Sequence, residues 1–90
     1  SISKTVLIVS NRSDDIAPAI LEVMHRGCTI IDGKGAYTGD QKHILMVTVG
    51  KTQLPRLKEI VFQVDPHAFM TINESIEVYG QGFKSSKADF

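Results

Sequence analysis

The sequence predicts an α+β domain in which four strands and two helices follow one another in the order βαββαβ. Two observations predict this order. Four β-branched apolar runs of strand length are bounded by turn residues, and two further segments repeat apolar residues at helical spacing. The strands are expected at Lys4 to Ser10, Cys28 to Asp32, His43 to Val49 and Ala68 to Ile72. Such an order is the split βαβ, or ferredoxin-like, arrangement: an antiparallel sheet in the strand order 4-1-3-2 with both helices on one face.

The first helix is indicated by apolar residues at Ile16, Ile20, Leu21 and Met24. Gly27 is expected to end it, because glycine is the usual residue just past a helix C-terminus. Pro18 lies inside the segment and fits best if Asp15 caps the helix, since proline is tolerated in a first turn.

The second helix is expected to be capped by Thr52, with Pro55 in its first turn and Asp65-Pro66 at its end. Its buried stripe is predicted at Leu54, Leu57, Ile60, Val61 and Val64.

The end of the chain carries weaker patterns. Asn73-Glu74-Ser75 is expected to interrupt the fourth strand, and residues 76–79 either continue it or form a short helix. Gly80-Gln81-Gly82-Phe83 is expected to be a tight turn that docks Phe83 on the core or on a neighbour. We predict one domain over residues 1–83 and a polar, frayed tail over residues 84–90.

The central strands of the predicted sheet are apolar on both faces. Val6 to Val9 and Ile44 to Val47 are continuous apolar runs, whereas two helices can cover only one face. We therefore expect the second face to meet another copy of the chain, as a dimer or a trimer.

Charge and cysteine content exclude several classes of protein. Ten basic and ten acidic residues cancel, so the chain lacks the cationic excess of a nucleic-acid-binding protein, and no nucleic-acid partner is expected. Cys28 is the single cysteine and has no zinc-ligand spacing to the histidines, so no disulfide, metal or cofactor is expected. No apolar run approaches the ~20 residues that span a bilayer, so this part of the protein is expected to be soluble.

The glycine-rich stretch from Asp32 to Gly39 is the most distinctive feature of the sequence, and we call it the glycine loop. It is predicted to connect the second and third strands as a hairpin. Its glycines offer backbone N–H groups, and its lysine, tyrosine and threonine offer a charge, a stacking face and a hydroxyl. A hairpin that needs positive φ explains the glycines equally well. The candidate ligand-binding residues of the loop are Gly33, Lys34, Gly35, Tyr37, Thr38 and Gly39.

Topology brings two other loops to the same edge of the sheet, namely Asn11 to Asp15 and Asp65 to His67. We therefore add Asp65 and His67 to the candidate site. The N-terminus of the first helix contributes a partial positive charge there, so a small anionic ligand fits best. Several aspartates crowd this edge as well, and a phosphate ligand would need a bridging cation.

Five segments carry a resemblance to a known family: Arg26-Gly27-Cys28-Thr29, Asp32-Gly33-Lys34-Gly35-Ala36-Tyr37-Thr38-Gly39, Leu54-Pro55-Arg56-Leu57-Lys58, Asp65-Pro66-His67-Ala68-Phe69 and Gly80-Gln81-Gly82-Phe83. With these segments the chain resembles the C-terminal domain of the YitT family, bacterial multi-pass membrane proteins that end in a small domain of unknown function. The resemblance implies a fold related to the PII signalling proteins, on the cytoplasmic side of an attached membrane domain.

PII proteins are similar in fold and are trimers that bind adenine nucleotides where the loop between strands two and three meets the turn after the second helix. The resemblance therefore points to the edge that carries the candidate site. However, the loop here is much shorter than a PII effector loop, and no PII nucleotide signature is present, so a nucleotide is one candidate among small anions.

Three functions follow as hypotheses. The first is a regulatory domain that binds a small anionic ligand at the glycine loop and self-associates. The second is an assembly module without a ligand. The third, an acylphosphatase-like enzyme, would use Arg12 and Asn11, but the glycine-rich phosphate loop of such an enzyme is missing there, so no enzymatic activity is expected.

Overall fold

A computed structural model describes residues 2–75 and 77–83 of the chain. The elements, in chain order, are β1 (Ser3–Ser10), α1 (Ser13–Met24), β2 (Thr29–Lys34), β3 (Gln41–Gly50), a 3₁₀ turn (Lys51–Gln53), α2 (Leu54–Val64) and β4 (Phe69–Ser75). The predicted βαββαβ order is confirmed.

The four strands form one antiparallel sheet in the order β2-β3-β1-β4, which is the predicted order 4-1-3-2 read from the other edge. Its register is fixed along the central pair, where Val6 lies opposite Val47 and Ile8 opposite Leu45. Because directly opposed residues in an antiparallel pair share a face, these four side chains point the same way.

Both helices pack on that face. The fully buried core joins alternate residues of β1 and β3 to one stripe from each helix: Val6, Ile8, Leu45, Val47 and Val49 from the sheet, and Ile16, Ile20, Leu57, Ile60 and Val61 from the helices. No helix among the described residues covers the other face of the sheet. We call it the open face, and its apolar residues are Leu7, Val9, Ile31, Ile44, Met46 and Phe69.

Helix α1 begins earlier than predicted. It starts at Ser13, and the Arg12 carbonyl already accepts the N–H groups of Asp15 and Ile16, so the prediction that Asp15 caps it was wrong. The Ser13 hydroxyl is buried and donates to the His43 carbonyl at 2.6 Å, which fastens the first turn to β3. Pro18 therefore lies in the second turn rather than the first.

The other ends of the helices also differ in detail. Helix α1 ends at Met24, and His25 takes the left-handed conformation (φ 57°) that we expected at Gly27. Thr52 lies inside the 3₁₀ turn and does not cap α2, which begins at Leu54. Pro55 lies in the first turn of α2, and the helix stops before Asp65, as predicted.

The strands run further than predicted. β2 continues through Lys34, so Asp32, Gly33 and Lys34, the first three residues of the glycine loop, belong to the sheet. β4 continues to Ser75 because Asn73, Glu74 and Ser75 pair with the start of β1, where the Lys4 Nζ lies 3.1 Å from a Glu74 carboxylate oxygen. The predicted interruption at Asn73-Glu74-Ser75 was wrong.

Residues 77–79 form neither a strand nor a helix, and Ile76 lies outside the described residues. The tail over residues 84–90 also lies outside them, so the domain boundary at residue 83 stays a prediction. Within residues 2–75 and 77–83, no helix combines the length and hydropathy needed to cross a membrane.

Candidate functional site

The glycine loop is a closed hairpin whose turn is held by its own backbone. The Gly35 N–H donates to the Asp40 carbonyl at 2.8 Å, and the Gly39 N–H donates to the Gly35 carbonyl at 2.8 Å. The Asp40 N–H donates to the Thr38 hydroxyl at 3.1 Å. These amides are used inside the loop and are not available to a ligand.

The glycines of the loop differ in how strictly the structure requires them. Gly39 has a φ of 77°, which favours glycine. A side chain at Gly35 would place its Cβ 2.7 Å from the Thr38 Oγ1, and one at Gly33 would place its Cβ 2.9 Å from the Ile44 Cδ1. The hairpin interpretation therefore accounts for Gly35 and Gly39, whereas the contact at Gly33 is with the movable end of the Ile44 side chain.

Lys34 and Tyr37 are the loop side chains without a structural role. Tyr37 is fully exposed at the tip, with 100% of its side chain accessible to solvent. Lys34 is exposed too, and no ion pair involves it in the described part of the chain. An aromatic ring and a charge are thus presented on a fixed turn.

Asp65 joins the ends of β1 and α2. It is 8% exposed, its Oδ2 accepts from the Ser10 hydroxyl at 2.5 Å, and its Oδ1 accepts from the His67 N–H at 2.9 Å. The Ser10 hydrogen bond, followed by that from the His67 N–H, lowers the pKa of the Asp65 carboxyl. The role of Asp65 in the structure is therefore to close a turn.

His67 is exposed in the same turn. Among the described residues, no hydrogen bond or ion pair links Asp65 or His67 to the glycine loop. The predicted site residues accordingly lie at one end of the sheet, as expected, but in two separate groups.

An open cleft occupies this end of the sheet, where Asn11 to Asp15 and the hairpin were expected to meet, and it adds Ser10 and His43, which the sequence did not single out. It has a volume of about 390 Å³ and is lined by Ser10, Asn11, Ser13, Asp14, Gln41, Lys42 and His43. The Lys42 ammonium donates to the Asn11 Oδ1 at 2.7 Å across it. The signal that could have found the cleft is the register of β1 and β3, because it sets Ser10 opposite His43.

His43 lies between two carboxylates at this cleft. Its Nδ1 lies 3.0 Å from the Asp14 Oδ1, and its Nε2 lies 3.6 Å from the Asp32 Oδ1. The hydrogen bond to Asp14 is the main cause that raises the pKa of the imidazole, with a smaller contribution from the charge of Asp32. When protonated, the ring links α1, β2 and β3 through these two carboxylates.

Arg12, beside this cleft, is held by its own neighbours. Its Nε and Nη2 lie 3.3 and 3.2 Å from the Asp15 Oδ2, and its Nη1 donates to the Val64 carbonyl at 2.8 Å. The guanidinium therefore caps the C-terminus of α2 rather than facing the cleft.

Across the described residues, no three histidine, cysteine or acidic side chains are grouped to hold a metal ion.

We expect Gly35→Ala to destabilise the domain, because the added methyl group displaces the Thr38 hydroxyl from its bond to the Asp40 N–H. The loss of one such hydrogen bond is about 1 kcal/mol, or roughly 4–8 °C in Tm for a domain of this size. Gly27→Ala is the matched control, since no atom lies within 4 Å of its Cβ position. In a Thr38→Ala background, Gly35→Ala should have little further effect. Equal melting of the two glycine variants would contradict this role of Gly35.

The titration of His43 gives a second prediction. A folded-state pKa above the unfolded value of about 6.5 means that protonated His43 stabilises the fold below that pH. This stabilisation is lost as the pH rises through the folded-state pKa. NMR titration should show the raised pKa, and Asp14→Asn should lower it more than Asp32→Asn does. Equal effects of the two substitutions would contradict the assignment of Asp14 as the main partner.

Comparison with known sequences shows the family. Residues 26–80 match the family described as "Uncharacterized protein conserved in bacteria (DUF2179)". The chain is 42% identical over 82 residues to the UPF0750 membrane protein YvjA of Bacillus subtilis, covering 91% of this chain and 29% of YvjA. It is 37% identical over 76 residues to the UPF0750 membrane protein YitT of the same organism, covering 84% of this chain and 27% of YitT. The chain thus spans less than a third of the length of these curated relatives.

Comparison with solved structures shows the fold. A DUF2179 protein from Eubacterium ventriosum superposes with a TM-score of 0.70 at 30% identity, covering 79% of this chain and 97% of that one. Arabidopsis thaliana PII, solved bound to citrate, superposes with a TM-score of 0.64 at 19% identity, covering 79% of this chain and 71% of that one. The fold is PII-like. Because the family match covers more than half of the chain, this protein belongs to the DUF2179 family, and its curated relatives are UPF0750 membrane proteins of the YitT family.

Proposed function

We propose that this chain is a regulatory domain of a UPF0750 membrane protein, on the cytoplasmic side of the membrane. In this proposal it binds a small anionic ligand at the glycine loop, with nucleotides as the first candidates. Copies of the domain assemble through the open face of the sheet. A change of ligand occupancy then reaches the attached membrane domain through the assembly.

One observation carries the ligand-binding half of the proposal. Tyr37 is fully exposed on a turn whose backbone is fixed by internal hydrogen bonds. Because the ring is fully exposed, it adds no buried area to the fold of a single subunit and is free to stack on a planar ligand. Lys34 stands close by in sequence as a charge without an ion-pair partner among the described residues, and it suits an anion.

The open face supports the part of the proposal that concerns assembly of several copies. Its six apolar residues span all four strands, and the outermost, Phe69, is 61% exposed. Contiguous apolar surface of this kind on a soluble domain marks an interaction site. Ile44, whose terminal methyl group lies over Gly33, belongs both to the open face and to the base of the glycine loop. Covering the open face would therefore also constrain the base of the loop.

The comparisons with known sequences and solved structures also support this proposal. The matched part is 29% of YvjA and 27% of YitT, both membrane proteins, which agrees with a domain attached to a membrane portion. The PII structure with the same fold holds citrate, a small anion. A PII-like fold in a membrane protein suits a ligand-sensing role, although fold alone does not specify the ligand.

The ligand is tested by thermal unfolding with a panel of nucleotides, cyclic dinucleotides and phosphorylated metabolites, each with and without magnesium. A ligand at ~100 times its Kd adds about 2.7 kcal/mol, so Tm should rise by roughly ten degrees or more. Lys34→Ala and Tyr37→Ala should each reduce the shift without lowering the Tm of the free domain. Lys51→Ala, an exposed lysine at the other end of the sheet, is the control and should keep the full shift. If both loop variants respond as the unaltered chain does, the ligand is not held by this loop.

A second candidate function is an assembly module without a ligand, and the open face by itself favours it. Light scattering at rising protein concentration tests assembly directly. Phe69→Glu should dissociate the assembly, because it sets a charge on the open face. Phe62→Glu is the matched control, since Phe62 is 41% exposed on α2, away from that face. A monomeric unaltered chain, or equal masses for the two variants, would contradict assembly through the open face.

The acylphosphatase alternative receives no support from the geometry. Arg12 is bonded to Asp15 and to the Val64 carbonyl, and the Asn11 Oδ1 accepts from Lys42. A phosphate-binding arginine would need its fork free for the substrate. We therefore propose no catalytic role, and an assay with a generic acyl phosphate should show no turnover.

A further inference from the structure

A second and larger cavity lies at the opposite end of the sheet from the glycine loop. Its volume is about 620 Å³. Its floor is formed by Thr29, Met46 and Thr48, at the start of β2 and the end of β3, which share the open face. One wall is the segment from His25 to Gly27 that follows α1, and the other is the turn from Gln81 to Phe83. Neither wall is part of the candidate site described above.

The second wall is a built structure. The Phe83 N–H donates to the Gly80 carbonyl at 3.0 Å and closes a tight turn. Gly80 and Gly82 have φ values of 127° and 86°, which favour glycine. A side chain at Gly82 would place its Cβ 3.2 Å from the Arg26 Nη1, so the turn and the arginine fit closely together.

Arg26 joins the two walls. Its guanidinium carbon lies 4.1 Å from the centre of the Phe83 ring, a cation–π contact. Its Nη1 donates to the Gly82 carbonyl at 3.2 Å and its Nη2 donates to the Gln53 Oε1 at 3.4 Å. Both acceptors are neutral oxygens, and both hydrogen bonds are long.

Among the three arginines of the described residues, Arg26 is the one that lacks a carboxylate partner. Lys4 pairs with Glu74, Arg12 with Asp15, and Arg56 with Glu59. Arg26 is partly buried at a cavity and has no ion pair among the described residues. A partly desolvated guanidinium that is stacked on a ring keeps its charge and most of its N–H donors available for an anion.

We infer that this cavity binds a small organic anion whose carboxylate or phosphate group is held by Arg26. The planar guanidinium fork suits both groups, and the volume lies in the usual range for small-molecule sites. The Met46 thioether provides an apolar, adaptable surface for the body of the ligand, and the hydroxyls of Thr29 and Thr48 provide polar contacts. The site is separate from the glycine loop and does not rest on ligand binding there, but Met46 also belongs to the open face, so the inference requires that the proposed assembly leave this end of the face accessible.

The test is an NMR titration of the 90-residue chain with three probes of similar shape: benzoate, phenyl phosphate and the neutral benzamide. At least one of the two anions should shift the backbone amides of residues 25–29, 46–48 and 81–83, and benzamide should not. Arg26→Gln should weaken the binding of that anion at least tenfold, and Arg26→Lys, which keeps the charge without the fork, should fall in between. Arg56→Gln is the matched control and should bind as the unaltered chain does, because Arg56 pairs with Glu59 on the exposed side of α2.

Several outcomes would overturn the inference. One is the absence of shifts at these amides with both anions, and another is equal binding of benzamide. A third is unchanged anion binding by Arg26→Gln while the amides of residues 80–83 keep their positions. If Arg26→Gln disturbs the turn instead, Phe83→Leu distinguishes the structural role of Arg26 from its role in anion binding, because it removes the stacking ring and leaves the charge. Phe83→Leu should retain measurable anion binding. A complete loss of binding in this variant would contradict anion capture by Arg26. Shifts of the same amides with protein concentration alone would show that a second copy fills the cavity. Anion-induced shifts confined to residues 33–39 would instead support only the glycine loop.

Discussion

Two helices must shield a four-stranded sheet, and they can shield only one of its faces. The buried core of this domain is the direct result, because alternate residues of β1 and β3 meet α1 and α2 while the residues between them do not. Leu7 and Met46 are adjacent on the uncovered side, flanked by apolar neighbours from every strand. Both proposed sites border this open face, one at each end. A partner that covers the open face would therefore affect both proposed sites.

The two ends of the sheet are built differently. At the glycine-loop end, the turn is held by its own backbone, and in the adjoining cleft His43 lies between the carboxylates of Asp14 and Asp32. At the other end, Arg26 is held by a ring and two neutral oxygens, so its charge is not neutralised within the described residues. Charge that is already paired stabilises structure, whereas unpaired charge at a cavity is available for a ligand.

The fold could be predicted from the sequence because strand and helix periodicities are long and consistent, and their order leaves few topologies. The residues at which the two helices begin could not be predicted from the sequence. Asp15 and Thr52 suit a cap by residue type, but the actual start of α1 is set by a tertiary bond from Ser13 to the β3 backbone. Similarly, Asn73 and its neighbours have turn propensity, yet pairing with β1 keeps them in the sheet. The sites depend on contacts between distant residues, such as Arg26 with Phe83, which no local pattern indicates.

The central claim is that a second copy of the chain covers the open face. The most direct measurement is the broadening of methyl signals by a soluble paramagnetic agent. If the claim holds, the methyl groups of Leu7, Val9 and Ile44 are protected at high protein concentration and become accessible on dilution, while the exposed Leu21 on α1 stays accessible throughout. Open-face methyl groups that broaden at every concentration as Leu21 does would contradict it.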